Sequence, residues 1–446
     1  MKVHRYPSTR FPFADVLEQV WSHAPLAHLH DAYYWDPVTP ETDDQTPVHK
    51  LYRAATETQG RPPLQEQYER FLYQIIYPLF RARGETWLMV QKHPAVRVSL
   101  PFNQSVGALH CDADYHHAPQ EINFWVPVTS ARDSNSCWAE SEPGRGDFAP
   151  FNLDPGEFME AQLSTCRYYT PINTTWSTRV SFDFRVVPGS QWEAAQTHYS
   201  HHQGESKFHK VSFGVEGQYF VRRELPQPPC LVELRLATAP PTESSQFRKR
   251  EQRLVQYVSG LRQFFQQVDW GWADVLVTDN TCETLPAGLT QELPEWVQVR
   301  CAVNNRYGAH NKGAGDVEQW RYNRDVIAGY RWFCHHEPRT QLKSPDFFRV
   351  IQTAVAGDGT EERALITWGS DQKNHVYTGT FAVRSDLLLQ FIDRVDLDLM
   401  VSQHVSIEYS WYHFLREQLP ESWSPRPHGD AGVRWDDHAA GMWRNA

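Results

Sequence analysis

The sequence predicts a two-domain protein. The N-terminal domain reads as a double-stranded β-helix (a cupin-like jelly roll) with flanking helices, and the C-terminal domain as α/β with a mostly parallel sheet. Three observations predict this. The chain has 446 residues, more than one typical domain holds. Between about residues 87 and 187, short apolar runs alternate with turn signals, an all-β rhythm. From residue 231 onward, strand-like runs alternate with helical patterns, the rhythm of βαβ units. Pro226-Gln227-Pro228-Pro229 marks the boundary, which gives domains at 1–225 and 230–446.

Composition narrows the function classes. Hydrophobic residues make up 40% and aromatics 13%, enough to build cores, and the 17 Trp read as packing. A net charge of −11 argues against nucleic acid as a partner, since a binder needs a basic face to displace counterions. No apolar run approaches the roughly 20 residues that span a bilayer, so no membrane association is expected. The start, Met1-Lys2-Val3-His4-Arg5-Tyr6-Pro7, has no hydrophobic signal core, and a cytoplasmic location is expected. Seven Cys without a CxxC read as reduced, mostly buried thiols. Oligomeric state is left open.

In chain order, residues 13–21 have helical spacing. Asp36-Pro37-Val38-Thr39-Pro40 and the acidic residues after it read as loop. Residues 64–80 predict a stronger helix, with Tyr68, Leu72, Ile75, Ile76 and Leu79 at threes and fours and Pro62-Pro63 before its start. Residues 87–90 and 96–100 predict strands. Residues 188–230 form a junction, where His198, His201, His202 and His209 read as solvated. Beyond it come a strand at 231–238, a helix at 246–268, strands at 273–280 and 297–303, a Gly-rich loop, a helix to 328 and a strand near 330–339. Ligands of such sheets bind at the carboxyl ends of strands, where Asp279-Asn280, the glycine loop and His336-Glu337 fall.

Two stretches of the first domain carry chemistry. One holds His110-Cys111-Asp112, and the other runs from Asn173 through Arg179-Val180-Ser181 to Arg185. On one strand, residues i and i+2 face the same way, so His110 and Asp112 could grip one ion. Arg179 can fork two hydrogen bonds onto a carboxylate, with Ser181 beside it. This order resembles the 2-oxoglutarate/Fe(II) oxygenases of the phytanoyl-CoA-hydroxylase type, and most nearly the StrG-like proteins of aminoglycoside gene clusters. The resemblance spans residues 85–190. It implies His110 and Asp112 as ligands of Fe(II), and Arg179, Ser181 and Asn173 as contacts of 2-oxoglutarate. It also implies a pocket in which Asn123, Trp125 and Glu140 meet a small polar substrate. The distal ligand, five residues before Asn173 and eleven before Arg179, should be His, and Tyr168 stands there. Tyr168 could ligate as phenolate, could leave two protein ligands, or could mark a domain that has lost its metal. Asp114, His116 and His117 are candidate substitutes.

The second half resembles a GT-A glycosyltransferase. Asn304-Asn305 and Asn311-Lys312-Gly313-Ala314-Gly315 match the donor loop in character, and Gly-x-Gly-x-x-Gly is absent. The resemblance implies a nucleotide-sugar donor, with Asp279, Asn311 and Lys312 at the donor and Mg or Mn on its diphosphate. His335-His336-Glu337-Pro338-Arg339 stands where Asp-x-Asp is usual, so Glu337 is the candidate metal ligand and Arg339 an alternative neutraliser of diphosphate. Glu408, on a predicted helix, is the candidate base for an acceptor hydroxyl. The expectation is therefore an Fe(II)/2-oxoglutarate oxygenase acting on a polar natural-product intermediate (an amino sugar, glycoside or peptide-like molecule), fused to a glycosyltransferase-like domain. Two alternatives stand beside it. One is a glycosyltransferase whose first domain is a metal-free acceptor-binding module, and the other is a non-catalytic scaffold.

Overall fold

A computed structural model describes residues 1–33, 46–103, 108–201, 212–240, 250–357, 363–369, 374–427 and 433–434. The loop expected at Asp36–Pro40, His202, His209 and the first residues of the helix expected at 246–268 lie outside these. The chain forms two compact units, Met1–Pro226 and Gln227–Ala446, and is a mixed α/β protein with several sheets. Among the described residues, no helix is long and apolar enough to cross a membrane.

The first unit contains β1 (Lys2–Arg5), β2 (Trp87–Gln91), β3 (Ala95–Ser99), β4 (Ile122–Pro127), β5 (Trp138–Ala139), β6 (Ala149–Pro150), β7 (Glu157–Ala161), β8 (Tyr168–Tyr169), β9 (Arg179–Pro188) and β10 (Phe220–Glu224). Its main sheet runs β1-β7-β4-β9-β2-β10, and β5 sits between β6 and β8 in a smaller sheet. β2 and β3 both pair with β9 in succession, Leu88–Val90 along Val186–Pro188 and Ala95–Ser99 along Arg179–Asp183.

The two-residue alternation of β9 sorts its side chains onto opposite faces. Phe182 and Phe184 turn one way, onto Phe13, Tyr68 and Phe71 of the leading helices, with ring centroids 4.9 to 6.4 Å apart. Arg179, Ser181, Asp183 and Arg185 turn the other way. The predicted helix at 64–80 forms as Gln65–Phe71, a wider π turn at Leu72–Ile76, and Tyr77–Ala82. Pro78 lacks an N–H, and its ring would clash with the carbonyl of Gln74 in a regular helix, so the turn opens there.

The second unit contains β11 (Cys230–Leu236), β12 (Ala273–Asp279), β13 (Thr281–Cys282), β14 (Gln298–Val303), β15 (Trp332–His336), β16 (Gln341–Leu342), β17 (Ala364–Leu365), β18 (Thr380–Arg384) and β19 (Val433–Arg434). The sheet order is β13-β14-β12-β11-β15-β18-β17. β14, β12, β11 and β15 are parallel neighbours, and β18 is antiparallel to β15. The parallel strands thus stand third-second-first-fourth, and their order reverses between β11 and β15. The helix Lys312–Tyr322 packs Ala314, Val317 and Trp320 into a core with Phe333, Phe381 and Trp411.

Gly260, inside the helix Arg250–Gln267, lets that helix lie directly on the loop after β15. A methyl group there would stand 1.5 Å from the carbonyl oxygen of Pro338. Ala normally stabilises a helix interior by about 1 kcal/mol over Gly, but overpacking typically costs about 1–3 kcal/mol, and more where backbone is struck. Gly260→Ala should therefore lower the thermal midpoint of the second unit in calorimetry. Gly288→Ala, where the added methyl meets nothing within 4 Å, should not.

Candidate functional site

In the first unit, Arg179, Asp183 and Arg185 of β9 line a pocket together with Arg97, Asn123, Trp125, Tyr168 and Thr170. The space is about 30 Å³, room for a water or two. Arg179 is buried, donates to Ser181 Oγ at 3.0 Å, and lies over the Trp125 ring with Cζ 5.6 Å from its centre. Arg97 pairs with Asp183 at 2.9 Å. Asn123 is buried and its Oδ1 accepts no hydrogen bond. Arg179, Ser181, Trp125 and Asn123 are thus brought to or beside one pocket.

The ligand pair is built differently from the expectation. His110 forms an isolated antiparallel bridge with Tyr168, and Asp112 starts a 3₁₀ turn, Asp112–Tyr115, so the two do not project from one strand. The physical reason lies in Asp114, whose carboxylate accepts from the Cys111 N–H and curls the chain. His117 has Nδ1 2.7 Å from Glu121 Oε2. His110 Nδ1 lies 2.7 Å from the Ala108 carbonyl, and its ring is 4.4 Å from that of Tyr168.

Asp112 is held from three sides. Arg185 Nε donates to Oδ2 at 2.8 Å, Asn123 Nδ2 donates to Oδ2 at 2.7 Å, and the Tyr168 hydroxyl donates to Oδ1 at 2.6 Å. Burial disfavours the carboxylate charge, but Arg185, His117 and these hydrogen bonds outweigh it and hold the carboxyl well below the usual range. Burial and the Asp112 charge push the Tyr168 phenol well above its ordinary value.

A two-histidine, one-carboxylate iron site needs three donors whose lone pairs converge on one ion. Here the carboxylate oxygens are taken by a cation, an amide and a phenol, and a tyrosine stands at the third position. Among the described residues, no third His, Cys, Asp or Glu joins His110 and Asp112 in a ligand cluster. The residues present do not fit Fe(II).

Other expected contacts serve the backbone. Asn173 is buried, donates to the carbonyls of Ser99 and Ser177, and accepts from Thr175, so it braces a turn and does not reach a co-substrate. Glu140 accepts from the N–H groups of Arg167 at 2.7 Å and Gly146 at 3.1 Å, and these bonds lower its pKa. It pins a loop and does not face a substrate. Arg185, which sequence reasoning missed, was legible: continuing the two-residue period from Arg179 and Ser181 reaches Asp183 and Arg185.

In the second unit, charged groups gather where the parallel strand order reverses. Glu337, just after β15, is buried, with Oε1 2.6 Å from Lys312 Nζ and Oε2 3.1 Å from Arg339 Nη2. Burial opposes its charge, yet Lys312 and Arg339 hold the carboxyl well below its ordinary value. Both oxygens are engaged by cations, so Glu337 is not a metal ligand here. Close by on the sheet, Arg235 Nε lies 2.6 Å from Asp316.

Two donor-site expectations are corrected. Asp279 accepts from the N–H and hydroxyl of both Thr238 and Thr281, which ties β11 to the β12–β13 turn and leaves no lone pair directed at a nucleotide. Asn311 caps the helix Lys312–Tyr322 by accepting from the Ala314 N–H, and donates to the carbonyls of Met400 and Val405. That helix start is buried under Ile407, which a methyl on Gly313 would strike at 2.5 Å, so it is not an open phosphate cradle. Glu408, next to Ile407, is half-buried and accepts from Thr378 Oγ1 at 3.2 Å.

Removing the Asp112 charge would leave Arg185 buried with weaker compensation, and breaking such a pair typically destabilises by about 3–5 kcal/mol. Asp112→Asn should therefore lower stability in urea unfolding at pH 7. Because the folded carboxyl titrates below its unfolded value of about 3.9, its contribution is present above that pH and lost as pH falls through the folded value. The gap between wild type and Asp112→Asn should accordingly narrow below about pH 4.

No family model matches the chain. Among solved structures, it resembles a non-heme monooxygenase, the ThoJ–Ni complex, at 15% identity over 42% of this chain and 72% of that one, with a TM-score of 0.23. It also resembles a structure assigned as a nucleotide-diphospho-sugar transferase from Desulfovibrio desulfuricans G20, at 12% identity over 43% of this chain and 77% of that one, TM-score 0.29. TM-scores this low leave the fold to be read from the strands themselves. The curated relative is far nearer. The streptomycin biosynthesis protein StrG of Streptomyces griseus is 30% identical over 190 residues, which is 42% of this chain and 85% of StrG. The chain belongs to the StrG family.

Proposed function

We propose that this StrG-family protein is a biosynthetic enzyme that transfers a sugar from a nucleotide donor with no metal ion at its donor site. In this reading residues 230–446 form a GT-A-like domain. Residues 1–225 form a double-stranded β-helix that serves as the binding module for a polar small-molecule acceptor, such as an amino sugar, glycoside or peptide-like molecule. The observation that carries the reading is the Lys312–Glu337–Arg339 cluster at the point where the parallel strand order turns back, the place where open α/β sheets take ligands. Lys312 and Arg339 would meet the donor diphosphate, the task given to Mg or Mn in sites lined by acids. Glu337 would keep the two cations in place. Glu408 would accept the acceptor hydroxyl's proton while the acceptor oxygen bonds to the sugar's anomeric carbon and the diphosphate leaves with its oxygen.

The second reading is the Fe(II)/2-oxoglutarate oxygenase. Arg179, which lines the pocket and has Ser181 beside it, favours it, since a guanidinium suits a carboxylate. It requires Tyr168 and Arg185 to release Asp112.

Titration of UDP, GDP and dTDP into the full-length protein by calorimetry tests the first reading. At least one should bind equally well with and without EDTA. Lys312→Ala and Arg339→Ala should each weaken that binding by roughly tenfold, about 1.4 kcal/mol. Binding that appears only with added Mg or Mn, or none at all, overturns the metal-free donor site. Stoichiometric Fe(II) uptake under anaerobic conditions that is lost in His110→Ala would favour the oxygenase.

A further inference from the structure

A short helical segment that lies against β9 holds a separate cluster of donors. Leu26–His28 forms a 3₁₀ turn that runs into the short helix Leu29–Ala32. His28, His30 and Asp31 each present one ligand atom, and the three atoms lie within 4.8 Å of one another. His28 Nδ1 is 3.3 Å from Asp31 Oδ2, and His30 Nε2 is 3.5 Å from Asp31 Oδ1. A tetrahedral ion with bonds of about 2.0–2.2 Å sets its ligands about 3.3–3.6 Å apart, and each histidine stands at such a distance from one Asp31 oxygen, His28 from Oδ2 and His30 from Oδ1.

A second observation comes from behind the cluster. His30 Nδ1 lies 2.8 Å from Thr178 Oγ1, and Thr178 is fully buried and donates its N–H to the Ala27 carbonyl. Metal-binding histidines are characteristically oriented this way, one ring nitrogen held by a neighbour and the other presented to the ion. The His30 side chain is 9% exposed, whereas His28 and Asp31 are 61% and 69% exposed, so an ion would be seated from behind and open to solvent in front.

We propose that His28, His30 and Asp31 bind one divalent transition-metal ion, Zn²⁺ in the first place, with solvent completing its coordination. Two imidazoles and a carboxylate are the donor set that such ions select. The ion fastens residues 26–32 to the start of β9, where Thr178 directly precedes the pocket residue Arg179. It is distinct from the His110–Asp112 position.

The test uses the full-length protein, stripped with chelator and re-equilibrated with Zn²⁺, with metal content measured by mass spectrometry and Co²⁺ substitution followed by visible absorption. One Zn²⁺ per chain and a tetrahedral Co²⁺ spectrum are expected. His30→Ala and Asp31→Asn should each lower affinity by well over tenfold, and Thr178→Val, which leaves all three ligands in place, by roughly tenfold. His110→Ala should bind as wild type, which separates this site from the iron question. Asp31 is exposed, so circular dichroism should show Asp31→Asn folded. No stoichiometric Zn²⁺ in wild type, undiminished binding in folded Asp31→Asn, or loss of binding in His110→Ala each overturns the proposal.

Discussion

A buried guanidinium placed between carboxylates organises the N-terminal unit. Arg185 Nε is 2.8 Å from Asp112 and 3.7 Å from Glu121, and all three side chains are at least nine-tenths buried. Desolvating each ion costs several kcal/mol, so each is tolerable only with its partners in place. Asp112 therefore also takes Asn123 and Tyr168, and Glu121 takes His117, the Ala118 N–H and the Tyr199 hydroxyl at 2.7 to 2.8 Å. The network joins β4, β8, β9, the 3₁₀ turn and the helix Trp192–His201. Within it, Asp112 accepts from a cation, an amide and a phenol at once.

The C-terminal unit repeats the constraint with a different balance. Glu337 and Asp316 face Lys312, Arg339 and Arg235, so this named group has two anions and three cations. The surplus positive charge sits where β11 and β15 part company at their carboxyl ends. Beneath it, Glu233 on β11 is wholly buried and accepts from Thr278 and Trp320, with His335 Nδ1 at 2.8 Å. That inner network ties β11 to β12, β15 and the helix Lys312–Tyr322, on which Lys312 is the first residue.

Much of the element order was legible because it follows local periodicity. The strands at 87–91, 95–99, 230–236 and 273–279 and the helices near 13–20 and 65–82 stand where apolar spacing placed them. Polar roles were less legible. Asn173, Glu140, Asp279 and Asn311 are residue types that suit a ligand equally well as a turn or cap. Backbone N–H groups claim all of them, and which N–H groups those are depends on loop paths. Arg185 was readable as a pocket residue from the period of β9. Its pairing with Asp112, 73 positions away, was not.

The sequence by itself determined the two-part organisation, the two-faced character of β9 and the presence of Tyr where a third histidine would stand, because each is a property of neighbouring residues. Only the tertiary structure decided that Asp112 is closed by Arg185, Asn123 and Tyr168, that Glu337 is closed by Lys312 and Arg339, and that His30 is turned outward by Thr178. The physical reason is that a side chain's lone pairs are allotted by whatever the fold packs against them, and those partners, Arg339 apart, lie 11 to 148 residues away along the chain.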